Sequence, residues 1–447
     1  MVSAVAVVGV LAPVARADGG ADYEQPPIAY SATAPKDAVV RLQEQIKRGE
    51  LQFRGSDLDV LQTLLRALDV PAPSQVVVFS KTSLQRGRIR PKNPRAIYFS
   101  DTAYVGWVPG GLIEVATIDP QLGPVFYSLD PQAAREAGPK FHRDTDCLRC
   151  HGDMFVRGIP AVFARSLFPT ATGEMLLRHG STVVDDRTPF ETRWGGWYVT
   201  GYTGKLPHRG NTFATEENDQ LVFEATGRRP ENVRDYFDPK NYPCDTSDIV
   251  ALLVIEHQMA MQNSLTRAGL GARKMLAYQK GLQLTFKEPV TDEPAYDSVK
   301  SVFASAVEDV LDHLLFREEA ALPDGVVGSE RFRQTFGEKA PRSSKGHSLK
   351  ELVLRGHMFA NRCSYLIYSP SFRELPPSLK SRILTRLQDV LLNRDRSSRF
   401  AYLPADEKQR IYDILRETHP DAKAQWGGEG TNPENSYARR RPGAIPA

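Results

Sequence analysis

Residues 95–129 read RAIYFSDTAYVGWVPGGLIEVATIDPQLGPVFYSL, and this stretch decides the fold class. Runs of β-branched and aromatic residues alternate in it with short clusters of Gly, Pro and Asp, a pattern typical of strands joined by tight turns. With one earlier run included, the predicted strands are Val76 to Ser80, Arg95 to Phe99, Ala103 to Val108, Leu112 to Ile118 and Val125 to Leu129. Together they predict an antiparallel β meander.

A second β-rich block follows further along the chain. Its predicted strands are Ala161 to Leu167, Glu174 to Arg178, Ser181 to Val184 and Glu191 to Thr203. We expect one interrupted sheet that combines both blocks.

Helical spacing of apolar residues flanks the β-rich region on both sides. The predicted helices are Lys36 to Glu50, Asp57 to Asp69, Asp248 to Leu282, Glu293 to Phe316, Ser348 to Ile367, Ser378 to Asn393 and Ala405 to Thr418. The chain is therefore predicted to be an α+β protein. Its expected parts are a helical segment over residues 18–72, an antiparallel β-rich domain over 73–228 and a mostly helical C-terminal domain over 229–426.

The two ends of the chain differ from the rest in composition. The apolar run from Val2 to Val14 precedes Ala15-Arg16-Ala17, which has the small-x-small pattern of a signal-peptidase site. Residues 1–17 are therefore predicted to be a signal peptide, although no Lys or Arg precedes the run, and we expect a periplasmic or otherwise exported protein. Residues 427–447 are rich in Gly, Pro, Asn and Arg without apolar periodicity, which predicts a disordered tail.

Net charge and hydropathy argue against nucleic-acid binding and against an integral membrane span. The 447 residues include 57 Lys and Arg against 54 Asp and Glu, a net charge of +3 that gives no indication of nucleic-acid binding. The internal apolar run from Ile249 to Ile255 stops at Glu256, far short of the roughly 20 residues of a membrane span. We expect no integral membrane span in the mature chain.

The sequence Cys147-Leu148-Arg149-Cys150-His151 is a C-x-x-C-H motif, the attachment signature of a c-type haem. Two thiols three positions apart can add to the two vinyl groups of the porphyrin, while the next imidazole binds the iron. Cys147 and Cys150 are thus predicted to hold one haem c per chain, with His151 as the proximal iron ligand. This makes 73–228 the haem-bearing domain, and export agrees because these thioethers form outside the cytoplasm.

Three other interpretations of the motif stay open. A thioredoxin-like C-x-x-C needs an adjoining βαβ pattern that the flanking sequence does not offer. A zinc site needs two more ligands, and Cys244 and Cys363 stand alone. An accidental match would form a local disulfide. Cys244 and Cys363 are far apart in the chain, and whether they pair is also open.

The presence of one motif limits the function. Dihaem peroxidases and multihaem reductases need two or more such sites, so this chain alone cannot be one of them. The chain is also far longer than a minimal cytochrome, which holds its haem in about one small domain of roughly 100 residues. The remaining residues are expected to dock a partner or bind a ligand.

The sixth iron ligand has two leading candidates. His257 shares a helix face with apolar residues, and His208 lies in a loop flanked by Gly and Pro. Without a haem, His257 would be a hydrogen-bonded core histidine and His208 a solvated loop histidine. Weaker candidates are His142, Met154, His179, Met259 and Met261.

A run of basic residues leads into the second predicted strand and ends at its first residue, Arg95. It consists of Arg86, Arg88, Arg90, Lys92 and Arg95. We interpret it as a solvated loop; binding to haem propionates or to an acidic redox partner is the alternative.

Several longer stretches resemble a family of large exported bacterial cytochrome c domain-containing proteins with a single C-x-x-C-H motif. The resemblance covers roughly Pro73 to Trp426. The stretches that carry it are Gln75-Val76-Val77-Val78-Phe79-Ser80-Lys81-Thr82-Ser83, Ala103-Tyr104-Val105-Gly106-Trp107, Arg193-Trp194-Gly195-Gly196-Trp197-Tyr198-Val199-Thr200-Gly201, His208-Arg209-Gly210-Asn211, Glu256-His257-Gln258 and Cys363-Ser364-Tyr365-Leu366-Ile367-Tyr368. It implies haem attachment and export and keeps His208 and His257 as ligand candidates, without implying a reaction.

The sequence therefore supports one leading hypothesis and two alternatives. The leading one is an exported mono-haem c-type cytochrome that transfers electrons to or from a periplasmic redox partner protein. The first alternative is a haem-based sensor or small-ligand-binding module with an open sixth position. The second is a haem peroxidase or oxidase, in which His142 or Arg143 would act as general acid or base.

Overall fold

A seven-stranded antiparallel sheet forms the β-rich part of the computed structural model, which describes residues 21–152, 156–225 and 230–427. The described residues contain thirteen strands in all, of which seven form this sheet. They are β1 (Val76–Val78), β2 (Arg95–Phe99), β3 (Ala103–Trp107), β4 (Ile113–Asp119), β5 (Gly123–Leu129), β6 (His142–Arg143), β7 (Ala164–Leu167), β8 (Ser181–Val184), β9 (Trp197–Tyr198), β10 (Thr212–Glu217), β11 (Gln220–Ala225), β12 (Leu352–Arg355) and β13 (His357–Phe359). The order in the sheet is β6-β5-β4-β3-β2-β1-β9. The predicted meander is confirmed.

The second β-rich block joins this sheet only through β9. Val77 and Val78 of β1 lie opposite Tyr198 and Trp197 of β9. By contrast, β7 and β8 pair with each other in a separate two-stranded sheet, as do β10 with β11 and β12 with β13. The strand predicted over residues 174–178 is wrong. There, the chain makes one isolated bridge at Met175 and then a 3₁₀ turn, Leu177–His179.

The described residues include eleven α-helices. They are α1 (Ala38–Lys47), α2 (Asp57–Ala67), α3 (Pro131–Glu136), α4 (Leu148–His151), α5 (Ile249–Phe286), α6 (Asp297–Leu314), α7 (Glu330–Glu338), α8 (Pro370–Arg373), α9 (Pro377–Leu391), α10 (Ala405–Thr418) and α11 (Pro420–Trp426). Six of the seven predicted helices are confirmed, as α1, α2, α5, α6, α9 and α10, so the protein belongs to the α+β class.

The helix predicted over residues 348–367 is wrong. This segment forms the β12–β13 hairpin, in which Leu352 pairs with Phe359, and ends in a 3₁₀ turn, Tyr365–Tyr368. The hairpin reverses at Gly356, whose φ of +75° is accessible to glycine at little cost. Pairing between the two strands outweighs the helical spacing of the leucines.

The central element is α5, whose 38 residues span about 57 Å. Its first six turns are surrounded by protein on nearly every side, and the buried positions include the polar residues Glu256, His257 and Gln258 as well as apolar ones. The helix begins beside the sheet. Asp248 caps it by accepting from Ala251 N at 3.0 Å, and the same carboxylate accepts from Ser329 N at 2.6 Å. The N-terminus of α7, which Ser329 caps, is thereby fixed to the start of α5.

One contiguous cluster of buried apolar side chains runs from Tyr23 to Trp426. It crosses both boundaries predicted at 72/73 and 228/229, so these positions mark changes in secondary structure within a shared core. As domain boundaries they stay predictions. The predicted signal peptide and all but the first residue of the predicted tail lie outside the described residues. Within the described ranges, no helix has both the length and the hydropathy needed to cross a membrane.

The burial of α5 yields a direct test with a control on the same helix. Leu253 is 1% exposed and Leu284 is 62% exposed. We expect Leu253→Ala to lower the free energy of unfolding by about 2–5 kcal/mol, because it leaves a cavity. Leu284→Ala should change it by no more than about 0.5 kcal/mol. Urea unfolding followed by circular dichroism measures both, and equal losses would contradict the position of α5.

Candidate functional site

The C-x-x-C-H motif lies just beyond the edge of the large sheet. The edge strand β6 pairs with β5, placing Arg143 opposite Tyr127. Arg143 donates to the carbonyl oxygens of Tyr30 at 2.7 Å and Thr33 at 2.9 Å, which ties the edge to the N-terminal segment. After β6 the chain forms a 3₁₀ turn, Thr145–Cys147, and then α4, which brings Cys147, Cys150 and His151 together on successive turns.

His151 has a well-defined environment. Its Nδ1 lies 2.8 Å from the carbonyl oxygen of Ala161, and Ala161 N donates to the His151 carbonyl oxygen at 2.8 Å. Because a carbonyl oxygen can only accept, Nδ1 must carry the hydrogen, which leaves a lone pair on Nε2 of the neutral ring. The rings of Phe126 and Phe163 each lie 4.8 Å from the imidazole. Burial lowers the pKa of His151 to about 4, so the ring is neutral at physiological pH.

Both cysteines of the motif are free thiols. Cys147 is half-buried and Cys150 is exposed. Burial raises the pKa of Cys147 to about 12, and the nearby carboxylate of Asp144 acts in the same direction. Cys244 and Cys363 are also unpaired, and Cys363 is completely buried. The structure therefore contains neither the local disulfide nor the long-range one that the sequence left open.

The segment that holds His151 is anchored on α5. The Asn263 side chain accepts from Val162 N at 3.1 Å and donates to the Val162 carbonyl oxygen at 2.7 Å. Val162 follows Ala161 directly, so α5 fixes the carbonyl that orients the imidazole. Sequence reasoning missed Asn263, one of several amide side chains on α5, because no local signal distinguishes it from the others.

His257 lies in a different part of the interior. It is fully buried, its Nε2 is 2.8 Å from Ser364 Oγ, and its ring stacks on Phe316 at 3.9 Å. Its Nδ1 is 3.5 Å from Asp186 Oδ1. Because an α-helix has 3.6 residues per turn, His257 and Asn263 lie about 120° apart around α5. The structure therefore places His257 away from the face of α5 that anchors the segment holding His151, in the environment of a hydrogen-bonded core histidine.

His208 occupies a half-buried loop. Its Nδ1 accepts from Gly210 N at 3.0 Å, and its ring lies edge-on to Trp194 at 5.1 Å. The ring contact that the structure shows for His208 is thus with Trp194, not with the motif.

The weaker ligand candidates are dispersed. His142 is exposed on β6, Met259 and Met261 are buried in α5, and His179 Nε2 is 3.5 Å from Glu216. Met154 lies outside the described residues.

The basic run does not act as one unit. Arg95 pairs with Glu114 at 2.5 Å, whereas Arg90 and Lys92 line a surface cavity.

A buried polar network surrounds the middle of α5. Arg193 Nη1 donates to one oxygen of the Glu256 carboxylate at 2.9 Å, and Trp194 Nε1 donates to the other at 2.7 Å. Two residues further along, Tyr365 donates to Gln258 Oε1 at 2.7 Å, and Gln258 Nε2 donates to the Tyr104 hydroxyl at 2.9 Å. Four of the stretches that carry the family resemblance thus meet on one helix.

Two further carboxylates in this network have opposite pKa shifts. Burial alone would raise the pKa of Asp186, but nearby His257 outweighs it, with His313 and Arg187 assisting, and the pKa falls to about 2. Burial raises the pKa of Glu319 to about 8, although its bond from Met358 N at 2.8 Å opposes the rise. Asp186 is therefore ionised at neutral pH, whereas Glu319 is largely protonated. Sequence reasoning missed both.

The raised pKa of Glu319 predicts a pH-dependent stability. The folded protein holds this proton more tightly than the unfolded chain, so stability should fall as pH rises from 4.5 to about 8. The contribution of one group cannot exceed about 1.4 kcal/mol per pH unit. Glu319→Gln keeps an acceptor for Met358 N and should make the slope shallower, leaving the part contributed by other buried carboxyls such as Glu256, whose pKa burial raises to about 7. Unfolding midpoints in urea across this range measure it.

The matched control is Glu338→Gln, at an exposed position on α7. It should retain the wild-type slope. A Glu319→Gln protein with the wild-type pH profile would show that this carboxyl does not titrate with folding.

Comparison with protein-family models, with curated proteins and with solved structures finds no match. In the part of the chain that the structure describes, no group of three or more His, Cys, Asp or Glu side chains is arranged to hold a metal ion. The geometry around His151 is therefore the main functional observation.

Proposed function

We propose that this chain is an exported mono-haem c-type cytochrome that transfers electrons in the periplasm. The observation that carries the proposal is His151, a neutral and oriented imidazole within four residues of two free thiols. A c-type haem needs this set of groups and, when attached, supplies a one-electron iron couple. The resemblance to exported proteins with a single C-x-x-C-H motif supports the same assignment.

Cys147 and Cys150 are the attachment residues in this proposal. Thioether formation adds each S–H across a vinyl group, so both thiols must be reduced and free beforehand. Both meet this requirement. Cys150 is exposed, so a haem attached there would be within reach of the maturation machinery and of a redox partner.

His151 is the proximal ligand, and its support determines how well it can act. Ala161 holds the proton on Nδ1, which keeps Nε2 free to bind iron and raises the basicity of the ring. Phe126 and Phe163 prevent the ring from rotating. A pKa of about 4 means that protons do not compete for the ligand at neutral pH.

The two proposed sixth ligands are not equally available. For His257 to bind iron, it would have to give up its bond to Ser364 and its stacking on Phe316. His208 is only half-buried, and for it the cost includes a loop hydrogen bond and an edge contact with Trp194. His208 is therefore the more accessible of the two candidates.

Haem attachment is tested by producing the protein in a host with c-type maturation machinery. After denaturation and acid–acetone extraction, a pyridine haemochrome assay should find one covalently held haem per wild-type chain. Cys147→Ala/Cys150→Ala should retain none. Cys244→Ser changes a free thiol outside the motif and should retain the wild-type amount. Wild-type protein without covalent haem would overturn the proposal and return the two thiols to disulfide or zinc chemistry.

The sixth ligand is tested with conservative substitutions. We expect His208→Gln to convert a low-spin spectrum to high-spin, whereas His257→Gln preserves the bond to Ser364 and leaves the spectrum unchanged. His347→Gln, at a histidine that pairs with Glu351, is the control. If neither candidate variant alters a low-spin spectrum, both ligand proposals are wrong.

The visible spectrum of the dithionite-reduced protein, recorded before and after carbon monoxide is added, distinguishes an electron carrier from the alternatives. An unmoved spectrum means two firmly held axial ligands and supports the electron carrier. A clear shift means an open or displaceable position, which contradicts the carrier and favours a sensor or an oxidase.

A further inference from the structure

A surface cavity of about 730 Å³ lies on the side of the large sheet where β9 joins β1. Its lining comes from the β1–β2 connection, the turn after β7, strands β9 and β10, and the segment between β11 and α5 that carries Asp235 and Tyr236. The lining residues used below are Lys81, Arg90, Lys92, Tyr198, Phe213 and Tyr236. None of Cys147, Cys150 or His151 lines it, so it is distinct from the proposed haem site. Its volume lies within the range of small-molecule sites, about 300–1,000 Å³.

One wall of the cavity is a rigid group of aromatic rings. Tyr198 and Tyr236 stack with centroids 4.5 Å apart and an interplanar angle of 23°. Phe79 contacts Tyr198 at 4.6 Å and Phe213 at 5.2 Å, and the Tyr198 hydroxyl donates to the Pro91 carbonyl oxygen at 3.0 Å. Tyr198 and Tyr236 are 1% and 8% exposed, so a ligand would meet the edges of these two rings and the half-buried ring of Phe213. A preformed apolar wall of this kind favours a flat, aromatic ligand, because contact with it costs little ordering of the protein.

The rim of the cavity is cationic. Arg90 and Lys92 are exposed, and neither has an ion-pair partner among the described residues, whereas Lys81 pairs with Glu174. A turn holds the connection in place, with Asn93 N donating to the Arg90 carbonyl oxygen at 2.9 Å. Asp235 is the one carboxylate in the lining. Two unpaired cations beside an aromatic wall match a carboxylate attached to an aromatic ring.

We propose that this cavity binds a small aromatic carboxylate, with the ring against Tyr198 and Tyr236 and the carboxylate between Arg90 and Lys92. The cavity is larger than a single benzene ring requires, so a fused two-ring acid fits it better. The proposal does not depend on haem attachment.

Fluorescence titration with 2-naphthoate tests it on the full chain. We expect saturable binding to the wild-type protein and a loss of affinity of about tenfold or more in Arg90→Glu/Lys92→Glu, because charge-assisted bonds are replaced by repulsion. Arg86→Glu reverses an exposed charge on the same connection without lining the cavity and should bind as the wild type does. All three positions are exposed, so unchanged circular dichroism is expected for all variants.

Two analogues test separately whether the carboxylate and the aromatic ring of the ligand contribute to its affinity. The neutral 2-naphthalenemethanol and the aliphatic cyclohexanecarboxylate should each bind about tenfold more weakly than 2-naphthoate. No saturable binding to the wild-type protein, unchanged binding in Arg90→Glu/Lys92→Glu, or equal affinity for the neutral analogue would overturn the proposal.

Discussion

The carboxylate of Glu256 lies in the protein interior with 1% exposure, where an uncompensated charge would cost several kcal/mol. Arg193 supplies the counter-charge, and the Trp194 indole N–H supplies a second hydrogen bond. Arg193 also donates to the carbonyl oxygens of Thr188 and Asp186. Because all these bonds are made at once, α5 and the segment before β9 have one permitted relative position, and β9 in turn pairs with β1 of the large sheet.

The turn that makes this contact possible depends on glycine. Trp194 and Gly196 have φ values of +66° and +89°, and a Cβ on Gly195 would lie far inside contact distance of the carbonyl oxygen of Leu167. Two adjacent glycines allow the chain to reverse tightly against β7. Arg193 and Trp194 thereby reach Glu256, and the chain continues at once into β9.

The same helix orients the candidate haem site on another of its faces. Asn263 binds Val162 through both backbone groups, and the adjacent Ala161 carbonyl holds the imidazole of His151. A substitution that displaced α5 would thus disturb both the buried network and the proposed iron ligand. This coupling offers a physical reason for the length of the chain, since the ligand is supported by a core that extends from Tyr23 to Trp426.

The sequence by itself determined the elements whose signals are local. The strands of the meander, most of the helices and the C-x-x-C-H motif could be predicted because residue alternation, helical spacing and the chemistry of five adjacent residues need no distant partner. Distant contacts decided the rest. Residues 348–367 became a hairpin because Leu352 pairs with Phe359, and His257 faces Ser364 and Phe316 because of how α5 packs. The aromatic cavity exists only where β9 and β10 meet the β1–β2 connection. Periodicity shows that a helix has a buried side, but only the packed structure shows which neighbour lies against each residue.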